Sequence, residues 1–355
     1  LTSIADKTTF FTHTGTFWEG LYKDCEKART SILFEQYILE NDDIGQGFLE
    51  LLLKKAKEGV KVTLLLDKIG SRSVYNSPLI QDIRQYGGHV EFYNNIGWLN
   101  LVLPWTWLPR NHSKLFLIDE TITYIGGACI AENMADWRDI VIRLEGKLSD
   151  VADESFTPSP KITLSTKRRK GPEIEGLQYV ISGPHLPSGS IFKELLKQIH
   201  SAQQEILLVT PYFLPPKRLK WALLKAKKRG VEVKITITGE SDVPLVQNVS
   251  LSYLPRLMKK GIRFFAYNAG VCHAKYAIVD GRWAMLGSAN LDYLSLLHNK
   301  EGNLLIKNRQ IIKKLENIFK DNLKNSTKFE PEFWETLPLR TKLSGYLGRL
   351  FKKMM

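Results

Sequence analysis

Apolar positions along the chain switch between strand-like runs and helical spacing, and the switching pattern occurs twice. Residues 32–38, Ile-Leu-Phe-Glu-Gln-Tyr-Ile, form an apolar and aromatic run that predicts a short strand. Phe48, Leu51, Leu52 and Lys55 then fall at helical spacing, and Gly59 leads into an apolar strand over 63–66. The second half repeats this with a strand over 206–213, a helix over 219–228, Gly230, and a strand over 234–238. Glycines at 59 and 230 suit a helix C-terminus, where the left-handed conformation is cheap only for glycine. Tyr86-Gly-Gly-His-Val-Glu-Phe92 is answered by Lys260-Gly-Ile-Arg-Phe264. Strand, helix, strand and strand, twice over, predicts an α/β protein of two similar halves, each a mixed sheet flanked by helices. Proline, serine and a basic cluster around Pro158–Pro172 read as a linker. The expected division is a first half over 1–155, a linker over 156–175, a second half over 176–335 and a basic tail over 336–355.

The composition excludes a disordered chain, because 43% hydrophobic and 25% charged residues leave ample material for a core. A formal charge of +13 favours polyanions, either nucleic acid or an anionic membrane surface, although charge of this kind also merely keeps proteins dispersed. Three widely spaced cysteines (Cys25, Cys129, Cys272) make no disulfide framework and suit a reducing compartment. No apolar run reaches the roughly 18 residues that a membrane-spanning helix needs. No secretory signal is visible.

Candidate chemistry sits at the end of each half. The first constellation is His112-Ser-Lys114-Leu-Phe-Leu-Ile-Asp119 followed by Gly126-Gly127; the second is His273-Ala-Lys275-Tyr-Ala-Ile-Val-Asp280 followed by Gly287-Ser288-Ala-Asn290. Two such matches at corresponding places in a repeat make coincidence a poor explanation. In an extended chain residues i and i+2 share a face, so each histidine projects beside its lysine. The glycines allow the backbone close to an anion. Two histidines and two lysines around one phosphate suit phosphodiester exchange. The lysines neutralise the non-bridging oxygens as a metal would elsewhere, so neither a metal ion nor another cofactor is expected. One neutral imidazole attacks phosphorus, and the other, protonated, supplies the leaving alcohol with a proton.

The paired His-x-Lys-x4-Asp elements with trailing glycines are similar to those of the phospholipase D superfamily, and most closely to bacterial cardiolipin synthases. The resemblance spans nearly the whole chain. It includes Trp137-Arg-Asp139, Thr238–Pro244, Gly287–Asp292 and Asn299-Lys-Glu301. It implies two phospholipase D-type halves with one active site at their interface. The implied catalytic set is His112, Lys114, Asp119, His273, Lys275 and Asp280, with His112 as nucleophile and His273 as acid. Gly127, Ser288 and Asn290 are implied to support the phosphate, and Asp139 and Glu301 to orient the histidines. Two departures are visible. Cys129 stands where the family usually has asparagine, and Leu294 where many members carry arginine.

Substrate class must come from what surrounds the histidines. From Gly88 to His112 is 24 positions but from Gly261 to His273 only 12, so the first half carries an insertion. Its Trp98, Trp105 and Trp107 among leucine and proline suggest contact with a lipid interface; a buried loop and a base-stacking surface are the other readings. Leu339, Leu343, Leu347, Leu350 and Phe351 share one helical face among Arg340, Lys342, Arg349, Lys352 and Lys353. Such a helix either binds anionic lipid or packs against the domain, and Gly345 and Gly348 weaken it. The expected protein is a peripheral membrane enzyme on the cytoplasmic face of a bacterial inner membrane. It would move a phosphatidyl group from phosphatidylglycerol to a second one. Hydrolysis to phosphatidic acid is the near alternative, and cleavage of nucleic acid is disfavoured by the apolar insertion.

Overall fold

A computed structural model describes residues 4, 7–94, 109–146, 173–183 and 190–350. The first sheet contains Thr8–Phe11 (β1), Ser31–Gln36 (β2), Lys61–Asp67 (β3), His89–Tyr93 (β4), Leu115–Ile118 (β5), Ile122–Gly126 (β6) and Val141–Glu145 (β7). Its strand order is β1-β7-β6-β5-β2-β3-β4. The second sheet contains Leu177–Ser182 (β8), Glu205–Val209 (β9), Glu232–Thr238 (β10), Arg263–Tyr267 (β11), Tyr276–Val279 (β12), Trp283–Gly287 (β13), Glu301–Ile306 (β14) and Ser326–Lys328 (β15). Its order, β15-β11-β10-β9-β12-β13-β14-β8, is the first order again with one added edge strand. In each sheet the three βαβ-linked strands run parallel (β2-β3-β4 and β9-β10-β11) and the strands after the histidine run antiparallel. The repeat read in the sequence is therefore a repeat of topology.

Local chemistry explains the crossover helices. Asp42 accepts a hydrogen bond from the Gly45 amide at 2.9 Å and caps the helix Asp43–Lys57, whose Lys54, Lys55 and Lys57 face the negative end of the dipole. Phe48, Leu49 and Leu52 bury its inner side against Phe34 and Leu64. Gly59 ends it at φ +87°, and Gly230 ends the helix Lys217–Lys228 at φ +93°. Both glycines thus occupy the left-handed region, as their positions predict.

The two sheets meet face to face. Leu115, Leu117, Ile125 and Ile142 of the first join Tyr276, Ile278, Leu286 and Leu304 of the second in one apolar cluster. Ile311, Ile312, Leu315 and Phe319 of the helix Arg309–Lys324 extend that cluster. Two further clusters lie under the outer helices of each half. The layers run helix, sheet, sheet, helix, and the halves share a core rather than touching at a rim. No helix among the described residues is long and apolar enough to cross a membrane.

Candidate active site

The segment entering each histidine is stitched to the other half by backbone hydrogen bonds. The His112 amide donates to the Lys300 carbonyl at 2.8 Å, and the Lys300 amide donates to the Arg110 carbonyl at 2.9 Å. The same ladder recurs with the halves exchanged. The His273 amide donates to the Arg138 carbonyl at 2.8 Å, and the Arg138 amide donates to Val271 at 2.9 Å. Lys300 and Arg138 each precede a buried carboxylate, so each ladder carries an acid of one half to the imidazole of the other. His112 Nδ1 lies 3.0 Å from Glu301 Oε2, and His273 Nδ1 lies 2.7 Å from Asp139 Oδ2.

A carboxylate can only accept, so each Nδ1 carries the proton in the bond, and a neutral ring then presents a lone pair at Nε2. The two carboxylates are themselves held. Glu301 accepts from Ser288 Oγ at 2.5 Å, and Asp139 Oδ1 accepts from the Ile140 amide at 2.7 Å. Aromatic rings flank both imidazoles: Tyr37 meets His112 edge-on at 4.9 Å between centroids, and Trp137 lies 5.3 Å from His273.

Lys114 and Lys275 are each 1% exposed, which is unusual for ammonium groups. Each donates to the carbonyl of its own histidine, Lys114 at 2.8 Å, so both charges are pinned beside the imidazoles. Burial pushes Lys275 down to about 8; Asp139 opposes that and the Lys114 charge adds to it. Burial, then the Lys275 charge, pushes His273 down to about 4 against the pull of Asp139. His112 is also lowered, by burial, with Glu301 opposing and the two lysines assisting. Burial raises the Glu301 carboxyl, yet His112, Lys114 and Ser288 together hold it below its ordinary value. Two crowded, desolvated cations and two imidazoles that resist protonation are relieved together by one bound anion. The arrangement suits a phosphate diester.

Several expected residues thus come together: His112, Lys114, His273, Lys275, Asp139, Glu301 and Ser288. Gly127 joins them, because a Cβ there would stand 3.0 Å from Lys275 Cδ. Asn290, two residues beyond Ser288, is buried, and its Oδ1 has no hydrogen-bond partner among the described residues. Cys129, the departure from asparagine, is buried, and burial raises its thiol pKa.

Asp119 and Asp280 were expected in the catalytic set and stand elsewhere. Asp119 accepts from the amides of Arg29, Thr30 and Ser31 at 2.7–3.0 Å, and Asp280 accepts from those of Gln203, Gln204 and Glu205 at 2.8–3.0 Å. Each follows the far end of the strand that starts at the active site, and anchors the chain entering β2 or β9. A strand rises about 3.3 Å per residue, so five positions beyond the lysine is on the order of 16 Å away. Trp98, Trp105, Trp107 and Phe351 lie outside the described residues. Leu350 is 77% exposed just past the helix Leu339–Gly348.

Sequence reasoning missed two ion pairs behind His112, one buried and one part-buried. Arg110 reaches Asp67 with Nη2 at 2.6 Å and Nε at 3.0 Å, and Asp67 also accepts the Asn111 amide at 2.9 Å. Lys300 meets Glu35 at 2.5 Å, and Asn111 Nδ2 donates to the same carboxylate at 2.9 Å. Glu35, directly after the apolar run Ile32-Leu33-Phe34, was the available signal, since a charge is buried there only with a partner.

The family described as "Cardiolipin synthase, PLD-like domain" matches residues 21–155 and 195–323. The major cardiolipin synthase ClsA of Bacillus subtilis (strain 168) is 33% identical over 357 residues, covering 95% of this chain and 73% of the relative. The cardiolipin synthase of Oceanobacillus iheyensis is 32% identical over 361 residues, covering 97% and 74%. The chain thus spans about three quarters of these relatives' length. Among solved structures, the phosphatidylserine synthase of Haemophilus influenzae Rd KW20 shares the fold over 100% of this chain and 97% of its own, with a TM-score of 0.79 at 14% identity. The repeated sheets, the two His-Lys sets and the matched spans agree, and the chain belongs to the phospholipase D-like cardiolipin synthase family.

Proposed function

We propose that this protein is a phosphatidyltransferase that joins two phosphatidylglycerol molecules into cardiolipin and releases glycerol. The observation that carries the reading is the crossed pairing of His112 with Glu301 and His273 with Asp139 beside two buried lysines. The relatives named as cardiolipin synthases supply the substrate class.

In the proposed cycle Lys114, Lys275 and Asn290 receive the phosphate oxygens of the first lipid. Nε2 of one neutral histidine attacks phosphorus and forms a phosphorus–nitrogen bond. The charge of the bound phosphate brings the other histidine to its imidazolium form, and the oxygen of the departing glycerol takes the proton from its Nε2. The second histidine, now neutral, removes the proton from the primary hydroxyl of an incoming phosphatidylglycerol. That oxygen displaces the imidazole and restores both rings. His112 as nucleophile and His273 as acid remain the assignment taken from the resemblance. Oppositely disposed carboxylates let either ring be stabilised when it becomes cationic, so the two steps use one device in alternation. With lipid as substrate, we propose peripheral association with an anionic membrane at the cytoplasmic face of a bacterial inner membrane, and no role for nucleic acid.

The test is incubation of purified protein with phosphatidylglycerol vesicles in excess chelator, reading lipid products by mass spectrometry. Cardiolipin and glycerol from the wild type, absent with His112→Ala and His273→Ala, support the transferase. Phosphatidic acid without cardiolipin replaces it with a hydrolase. Cleavage of single-stranded DNA without lipid turnover removes the lipid reading altogether.

A further inference from the structure

The C-terminal helix Leu339–Gly348 packs with its small side inward. It lies against the helix Pro244–Met258 through Gly345 and Gly348, both buried. A Cβ on Gly345 would stand 2.5 Å from the Asn248 carbonyl, so this contact needs glycine. Asn248 Nδ2 donates to Ser344 Oγ at 2.9 Å, and Arg349 donates to Ser252 Oγ at 2.8 Å with its guanidinium 4.5 Å from the Tyr253 ring. The opposite side carries Leu339, Leu343, Tyr346 and Leu347, with Leu350 just beyond, exposed by 50–79%. Val243 and Leu245, at the start of the neighbouring helix, are 40% and 48% exposed. Eleven large apolar side chains are exposed among the described residues, and seven of them lie in these two segments.

A helix that meets water turns its leucines toward the core. This one does the reverse, which is favourable where its outer surroundings are apolar. Charge narrows the choice of occupant. The helices Pro244–Met258 and Leu339–Gly348 hold no aspartate or glutamate, and they carry Arg256, Arg340 and Lys342. An apolar stripe on two helices that carry cations and no carboxylate is complementary to a negatively charged bilayer surface. The surface also adjoins the active site. The strand β10, which leads into the Pro244 helix, ends beside it: Thr238 Oγ1 accepts from the amide of Cys272, the neighbour of His273, at 3.0 Å.

We infer that the ridge formed by the helices Leu339–Gly348 and Pro244–Met258 is a docking surface for an anionic lipid bilayer, bringing the membrane to the mouth of the two-histidine site. The role given to it rests on the lipid reaction proposed above. The leucines sit among the acyl chains just below the headgroups, and Tyr346 and the basic side chains lie at headgroup level.

The test is flotation with vesicles of phosphatidylglycerol and phosphatidylcholine in equal parts, and of phosphatidylcholine alone. The triple variant Leu339→Ser/Leu343→Ser/Leu347→Ser removes exposed side chains only, and its circular dichroism and melting temperature serve as the folding control. Wild type should float with the anionic vesicles, and the variant's partitioning should fall about tenfold or more. Turnover of monomeric dihexanoyl phosphatidylglycerol should be unchanged. Equal flotation of both proteins overturns the proposal, as does equal wild-type binding to the two vesicle types. A wild-type dimer that the variant dissolves, without vesicle binding, assigns the ridge to a second copy instead. Flotation that differs as expected while neither protein turns over phosphatidylglycerol keeps the docking surface and rejects the reaction.

Discussion

Gly127 and Asp139 occupy a space that admits only one side chain: a Cβ on Gly127 would stand 2.5 Å from Asp139 Oδ1. The matching pair in the second half is Ser288 and Glu301, where the longer acid leaves room for a hydroxyl that bonds it at 2.5 Å. The first half has a glycine where the second has a serine because its acid is shorter and lies closer. Gly127→Ala should therefore push Asp139 off His273, lowering kcat by roughly 10² or more and stability by about 1–3 kcal/mol. Steady-state turnover together with thermal melting checks this; an alanine variant of normal kcat would remove the steric account.

The crossed carboxylates should matter alike for rate. Asp139→Asn and Glu301→Gln keep shape but remove the charge that stabilises a protonated partner, so each should cost roughly 10²–10⁴ in kcat. If either amide variant retains full kcat on phosphatidylglycerol, that carboxylate plays no part in the chemistry.

Lys275 gives a signed pH dependence. Its folded pKa is pushed down to about 8, so the free enzyme loses this charge as pH rises through that value, and kcat/KM should fall on the basic side from about pH 8. Lys275→Arg stays charged and should move that limb to higher pH, at a lower plateau. An unmoved limb in the arginine variant would assign it to another group.

The same lysine should destabilise the empty protein. Because its pKa is lower folded than unfolded, its charge opposes folding at pH 7, and the penalty shrinks only as pH rises from 8 toward 10.5. Lys275→Met should raise the melting temperature and abolish turnover. Inorganic phosphate should stabilise wild type more than the variant. Thermal shift with and without phosphate distinguishes this from a lysine that serves packing alone.

Asp280→Asn and Asp119→Asn should act on stability and not on chemistry. Each carboxylate gathers three backbone amides, and weakening one set should cost about 1–3 kcal/mol. Turnover per folded molecule should stay within about twofold. Denaturant midpoints and active-fraction titration read the two quantities separately; a large loss of kcat in well-folded protein would return these residues to the catalytic set.

What the sequence made legible was whatever depends on local spacing. The doubled His-x-Lys, the glycines at 59 and 230 and the βαβ periodicity follow from the geometry of single elements. The place of Asp119 and Asp280 was also within reach of spacing, since five extended residues carry a side chain away from the lysine, but the shared motif drew them into the site. The partner of each histidine was not legible. Asp139 and Glu301 follow the histidine of their own half in the chain, and only the inter-half ladders at Lys300 and Arg138 show that they serve the other one. The C-terminal helix shows the same boundary. Its amphipathic stripe is plain in the sequence, yet which side faces the protein was decided by close approach at Gly345, a property of the Pro244 helix as much as of its own residues.

The exchange of carboxylates between halves makes activity a gauge of closure. Any motion that parts the sheets at Arg138 or Lys300 separates an imidazole from its acid and opens the shared core, while the clusters under the outer helices stay intact. Turnover should consequently vanish in partly opened molecules that still look folded to circular dichroism. It also means that the two halves, made as separate chains, would each hold a histidine and an acid that do not belong together, and would regain function only as a reassembled pair.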